Sequence, residues 1–174
     1  MFFVALLLSG CVTAPMSPDA FVVTPERLQQ RQLETRRYDG IKHDDLLVAC
    51  SNTLQDLGFN LENSETKLGV LTASKLRDAI NEGESFMAAL VAVLFRAHMV
   101  TDKDQKIRVS LVVRPVLDSA GKEMPKSQYV RVTFQRVLRR SDKSEVYETL
   151  REPELYKGFY ARVSKSVFLE AHNI

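Results

Sequence analysis

The sequence predicts a single-domain α+β fold: one antiparallel sheet packed by two amphipathic helices, with an extra apolar helix at about 84–100. Apolar residues recur at helical spacing over 43–57 and again from 153 almost to the C-terminus, which gives each stretch one buried face. Two runs, 106–114 and 129–137, alternate apolar and polar residues, the mark of strands with one wet face. No repeat of about 20–50 residues appears, so stacked-repeat architectures are excluded. The 174 residues are 45% hydrophobic and 26% charged, with 7 Gly and 6 Pro. That composition excludes collagen-like, wholly disordered and polytopic membrane chains.

Each element has its own signal. Arg36-Arg37-Tyr38-Asp39 is expected as a short strand closed by Gly40. His43-Asp44-Asp45 starts a helix, with acids in the first turn where the macrodipole favours them. Leu46, Leu47, Cys50, Leu54 and Leu57 form its buried stripe, and Gly58 stops it. Phe59 and Leu61 begin a strand, Asn63-Ser64-Glu65 is expected to turn, and residues 68–73 return. Ile107, Val109, Leu111 and Val113 line one face of the next strand, with Arg108, Ser110, Val112 and Arg114 on the other, and Pro115 is expected to end it. A loop through Gly121 and Pro125 leads to a strand at 129–137, and a shorter one follows at 145–150 after the turn Arg140-Ser141-Asp142. The last helix opens with Pro153 at its first position and Glu154 in its first turn. Its stripe is expected to be Tyr156, Phe159, Tyr160, Val163, Val167 and Phe168.

Residues 86–95 are an unbroken apolar decade. Ala and Leu favour a helix there, and the run is shorter than the roughly 20 residues a bilayer span needs. A helix apolar all round must be covered on more than one side. A core helix across the sheet, an interface built on Phe86, Leu90 and Leu94, and contact with a bilayer surface all satisfy that condition.

The N-terminus has a different character. Residues 1–10 carry no charge and include the apolar run 2–8, too short to span a membrane. Leu8-Ser9-Gly10-Cys11 resembles a bacterial lipobox, at which a signal peptidase cuts before a lipid-modified cysteine. Leu8, Ser9 and Gly10 would be the peptidase recognition residues. The Cys11 thiolate is the nucleophile suited to take a diacylglyceryl group as a thioether. The resemblance implies a further acyl chain such as palmitate on the freed amine, and two or more chains anchor stably where one does not. No Lys or Arg precedes the run; a start further upstream would supply one. Val12 stands where an Asp would resemble an inner-membrane retention signal, which favours the outer membrane. The expected organisation is a cleaved signal peptide at 1–10, a lipidated N-terminus and flexible tether at 11–35, and a periplasmic domain at 36–174. Within the tether Pro15, Pro18 and Pro25 deny a regular start, and the Gln/Arg/Glu-rich part from Pro25 is compatible with a short frayed helix.

With its lipobox, its proline-containing tether and the stretch LLVACSNTLQDLGFNLENSETKLGVLTASK at 46–75, the chain resembles small outer-membrane lipoproteins of Gram-negative bacteria with a helix-grip domain like that of the BamC (NlpB) family. The resemblance implies a helix that ends in Gly and is followed by an apolar strand and a hairpin. It also implies membership of an envelope complex. BamC proteins carry two such domains and a longer tether; one domain and a short tether are expected here.

Enzyme signatures are missing from the sequence. His43, His98 and His172 fall in three separate elements, and no HExxH, GxSxG, CxxC or Gly-rich phosphate loop occurs. No catalytic residue, metal site or cofactor is expected. Cys50 sits on an apolar helix face and is expected as a small buried side chain. The formal net charge of +2 does not argue for nucleic acid, but it hides an asymmetry. Residues 101–151 hold 12 Lys+Arg against 7 Asp+Glu, net +5, which leaves 12 against 15, or −3, elsewhere. Arg108, Arg114 and Arg131 lie on the polar strand face with Arg136, Arg139 and Arg140 just beyond, a solvated face that suits an acidic partner surface, lipopolysaccharide phosphates or peptidoglycan carboxylates. The expected function is therefore a non-enzymatic accessory or scaffold subunit of an envelope assembly, secretion or transport complex, held to the outer membrane and facing the periplasm. The alternative is a binding module that holds a small apolar or lipid-like ligand between helix and sheet.

Overall fold

The computed structural model describes residues 22–76, 104–139 and 143–171. Leu8, Ser9, Gly10, Cys11, Phe86, Leu90, Leu94, His98 and His172 lie outside them. In chain order the described elements are α1 (Pro25–Glu34), β1 (Thr35–Asp39), α2 (His43–Asp56), β2 (Asn60–Glu65), β3 (Val70–Leu76), β4 (Asp104–Leu117), β5 (Glu123–Arg139), β6 (Glu145–Thr149) and α3 (Pro153–Ala171). They form the α+β domain expected: an antiparallel six-stranded sheet packed by helices. The strand order is β2-β3-β4-β5-β1, and β6 also pairs with β5.

That last detail follows from length. β5 has 17 residues, and β1 and β6 have 5 each. β1 pairs with residues 127–131 of β5 and β6 with residues 135–139, so the two short strands share one edge and leave a notch between them.

Alternation sorts the two faces of the sheet. Ile107, Val109, Leu111, Val130, Val132 and Phe134 are fully buried under α2 and α3. The helices add Leu46, Cys50, Leu54, Leu155, Tyr156, Phe159 and Val163. Phe134 is the hub of the aromatic cluster, with ring centroids 5.5 Å from Tyr156 and 5.7 Å from Phe159, both edge-on, a favoured geometry for ring quadrupoles.

α2 ends as Gly58 predicts. Gly58 takes a φ of +75°, its N–H donates to Gln55 O, and Phe59 N–H donates to Leu54 O. This paired closure satisfies the last carbonyls of the helix. The buried Lys75 adds a bond from Nζ to Leu57 O at 2.8 Å.

Four sequence expectations are corrected. β2 continues through Asn63-Ser64-Glu65, each paired with β3; the turn falls at Thr66–Leu68 and Gly69. β2 is an exposed edge strand, so the ladder holds polar residues there without any need for a buried face. Pro115 does not end β4, and β5 begins at Glu123 instead of Tyr129. The register jumps from Pro115↔Gln128 to Val116↔Met124. Pro115 therefore stands at the irregularity and Pro125 within the extra residues of a bulge, a position where the missing N–H costs no ladder bond. In α3, Phe168 is 57% exposed while Leu155, absent from the expected stripe, is fully buried. Burial fades in the last turns, where Val167 is only partly covered. The helix that the sequence allows from Pro25 forms as α1. Thr24 caps it by accepting from Arg27 N–H, and it docks through Leu33, which packs on the core, and the buried Glu34.

Candidate functional site

The face of the sheet opposite α2 and α3 carries Arg108, Ser110, Val112 and Arg114 from β4, Thr133 and Gln135 from β5, and Tyr147 from β6. No described helix packs on it. Val112 is 37% and Tyr147 48% exposed. Arg108 stands at the centre of a small polar array. Its Nη2 lies 3.4 Å from Glu62 Oε2, and its guanidinium lies 6.0 Å from the Tyr147 ring centroid, within cation–π range. Tyr147 donates in turn to Glu145 Oε2. A hydrogen bond from Ser74, aided by the charges of Arg108 and Lys106, holds the Glu62 carboxyl below its ordinary range. The Tyr147 hydroxyl does the same for Glu145. Arg114 is exposed and makes no ion pair among the described residues. The result, among the described residues, is a mixed cationic and apolar surface with partly satisfied charges.

Two arginines expected on this face do other work. Arg131 turns to the sheet edge, where Nε and Nη2 donate to Glu34 Oε2 at 3.1 and 2.8 Å. Gln30 Nε2 donates to the other oxygen of that carboxylate at 3.0 Å. The Tyr160 hydroxyl sits between the carbonyl oxygens of Glu34 and Val130, at 2.5 and 3.0 Å. Arg131 thus ties α1 to β5. Arg136 lies on the helix side, 7% exposed, and ion-pairs with its cross-strand partner Glu148. Strand parity explains this: Arg131 and Arg136 differ by an odd number of positions, so an unbroken strand sends them to opposite faces. The sequence held that signal.

The notch between β1 and β6 opens as a cleft of about 390 Å³ lined by Thr24, Glu26, Arg27, Gln30, Arg31, Glu34, Arg131 and Arg151. No sequence signal marked Glu34, Arg31 or Arg151, because tertiary folding alone brings α1, β5 and the residue after β6 together. Burial, and next to it the Glu34 charge, pushes the hydroxyl of Tyr156, which accepts from Gln30 Nε2 at 3.2 Å, up to about 12. That hydroxyl donates to Leu150 O at 2.6 Å.

His43 packs over Gly69, with Nε2 3.3 Å from Thr66 O, and Cys50 is buried. Among the described residues no group of three or more His, Cys, Asp or Glu is placed to hold a metal ion. Among the same residues no helix is long and apolar enough to cross a membrane. No protein-family model matches the chain, and no curated protein matches it.

Proposed function

We propose that this protein is a non-enzymatic, lipid-anchored accessory or scaffold subunit of a cell-envelope complex, fixed to the outer membrane through Cys11 with its domain in the periplasm. The observation that carries the docking role is the sheet face on which no described helix packs, where Arg108 and Arg114 flank the exposed Val112, with Tyr147 at the Arg108 side. Charged residues beside exposed apolar area suit recognition of an acidic partner surface, with the charges steering encounter and the apolar area adding contact. The anchor is supported by Leu8-Ser9-Gly10-Cys11. A ligand held between helix and sheet draws no support from the described core, where Phe134, Tyr156, Phe159 and Tyr160 fill that space to within 2% exposure.

Affinity capture of the tagged full-length protein from detergent-solubilised membranes tests the proposal. A stoichiometric partner that is retained by the wild type and lost from Arg108→Glu/Arg114→Glu is the expected outcome. A partner held equally by that variant overturns the assignment of the face. A lipid-like molecule copurifying with a monomer, and no partner, overturns the scaffold role. Cys11→Ala is expected to leave the membrane fraction; a variant that still sediments with membranes overturns the anchor.

A further inference from the structure

We propose that the arginine-lined notch between β1 and β6 is a binding site for a phosphate group. Topology builds it. Two short strands share the edge of β5 and leave a gap, α1 closes the gap from one side, and the chain leaving β6 brings Arg151 to the other. Arg27, Arg31, Arg131 and Arg151 line one cleft of about 390 Å³, against two acids, Glu26 and Glu34.

The acids do not neutralise the site. Glu34 is buried, and its two carboxylate oxygens are already engaged by Arg131 and Gln30. Those bonds fix Arg131 through Nε and Nη2 and leave its other N–H groups without a bond to Glu34. Glu26 is held below the ordinary carboxylate range, chiefly by a backbone N–H and by Thr24, at the start of α1. Arg31 and Arg151 are exposed and enter no ion pair among the described residues. Arg27 donates from Nη1 to Val22 O, and its backbone N–H is taken by the Thr24 cap.

The cleft therefore has one guanidinium fixed by a buried carboxylate and two more at its rim, with a surplus of two positive charges over its lining. Guanidinium forks match the oxygens of phosphate in geometry and charge, and several together select an oxyanion over water. The notch borders the sheet face described above, since Arg131 is the cross-strand neighbour of Val112, but it takes a different ligand and does not depend on the partner proposed for that face. Its phosphate could be carried by a lipid headgroup or be free in solution, and the two sources are separable.

The test uses the full chain carrying Cys11→Ala, so that no acyl group contributes. It is titrated with inorganic phosphate, followed by amide chemical shifts, and separately floated with phosphatidylcholine vesicles with and without phosphatidylglycerol. Phosphate is expected to shift the amides around Arg31, Arg131 and Arg151. Arg31→Ala/Arg151→Ala is expected to weaken binding about tenfold or more, while Arg108→Ala/Arg114→Ala binds as the parent does. Flotation that requires phosphatidylglycerol and falls with the same two residues assigns the phosphate to a headgroup; saturation by inorganic phosphate with no flotation assigns it to a soluble ligand. Absence of binding to both probes overturns the site. So does a notch double variant that binds like the parent, or equal loss on changing Arg108 and Arg114, since attraction would then be diffuse. Urea unfolding of each variant separates loss of the site from loss of fold.

Discussion

Replacing Glu34 by Ala is expected to loosen α1 from the domain at a cost of about 2 kcal/mol. Three hydrogen bonds end on this buried carboxylate, from Arg131 Nε at 3.1 Å, Arg131 Nη2 at 2.8 Å and Gln30 Nε2 at 3.0 Å. A hydrogen bond to a charged group contributes about 1.5–3 kcal/mol when shielded. The Arg131 side chain is 49% exposed, so water recovers much of its share. Removing the carboxylate also ends the cost of keeping it dehydrated, which offsets part of the loss. The Tyr160 contact to the Glu34 carbonyl survives, because it uses the backbone. Urea denaturation gives the global term, and limited trypsin cleavage after Arg27 and Arg31 reports local release of α1. A double-mutant cycle with Arg131→Gln is expected to show a coupling of about 1–2 kcal/mol, since both changes remove the same bonds. A variant within about 0.5 kcal/mol of wild type, with tryptic cleavage no faster at either arginine, would refute the claim that Glu34 holds α1.

Other perturbations follow from the same geometry. Gly69→Ala is expected to cost about 2–4 kcal/mol: Gly69 has a φ of +64°, and a Cβ there would stand 2.3 Å from Val113 O and 2.5 Å from His43 Cε1, so a midpoint in urea unchanged from wild type would contradict it. Tyr160→Phe removes a hydroxyl shared by two buried carbonyls and is expected to cost about 1–2 kcal/mol by the same assay. Burial raises the hydroxyls of Tyr38, Tyr156 and Tyr160 above their ordinary value of 10.0, Tyr156 to about 12. Above pH 10 the unfolded chain releases these protons first, so the stability present below pH 10 falls as pH rises toward about 12; unfolding free energies that stay flat across this window would contradict the burial. Arg114→Glu is expected to change stability by no more than about 0.5 kcal/mol, whereas Arg131→Glu places an acid beside buried Glu34 and is expected to unfold at clearly lower urea.

Much of the fold was legible because its signals are local. The stop at Gly58 needs only a residue that accepts positive φ, and the acids and proline at the helix starts act within one turn. The faces of β4 and β5 were readable from alternation over eight or nine residues, because each strand has one buried side. The far end of β2 is not legible, for the converse reason. An edge strand of polar residues is held by its ladder with β3, and no apolar period announces it.

Arg108 and Arg114 were placed by parity, and the structure keeps both on the open face. The same rule would have sent Arg136 to the helix side had it been carried five residues past Arg131. The pairing of Arg131 could not have been read so. Its face follows from parity, but its partner Glu34 is 97 residues away, at the end of α1.

By itself the sequence determined the class of fold, the buried faces of α2, β4 and β5, the starts of the two long helices, the stop of α2 and the Leu8-Ser9-Gly10-Cys11 motif, all properties of neighbouring residues. Only the tertiary structure decided that two short strands share one edge of β5, that α1 closes the gap between them from one side, and that Glu34 pairs with Arg131. The physical reason is range. Backbone geometry and side-chain period act over a few residues, whereas an ion pair chooses among all the charges that folding brings near, and no spacing along the chain encodes that choice.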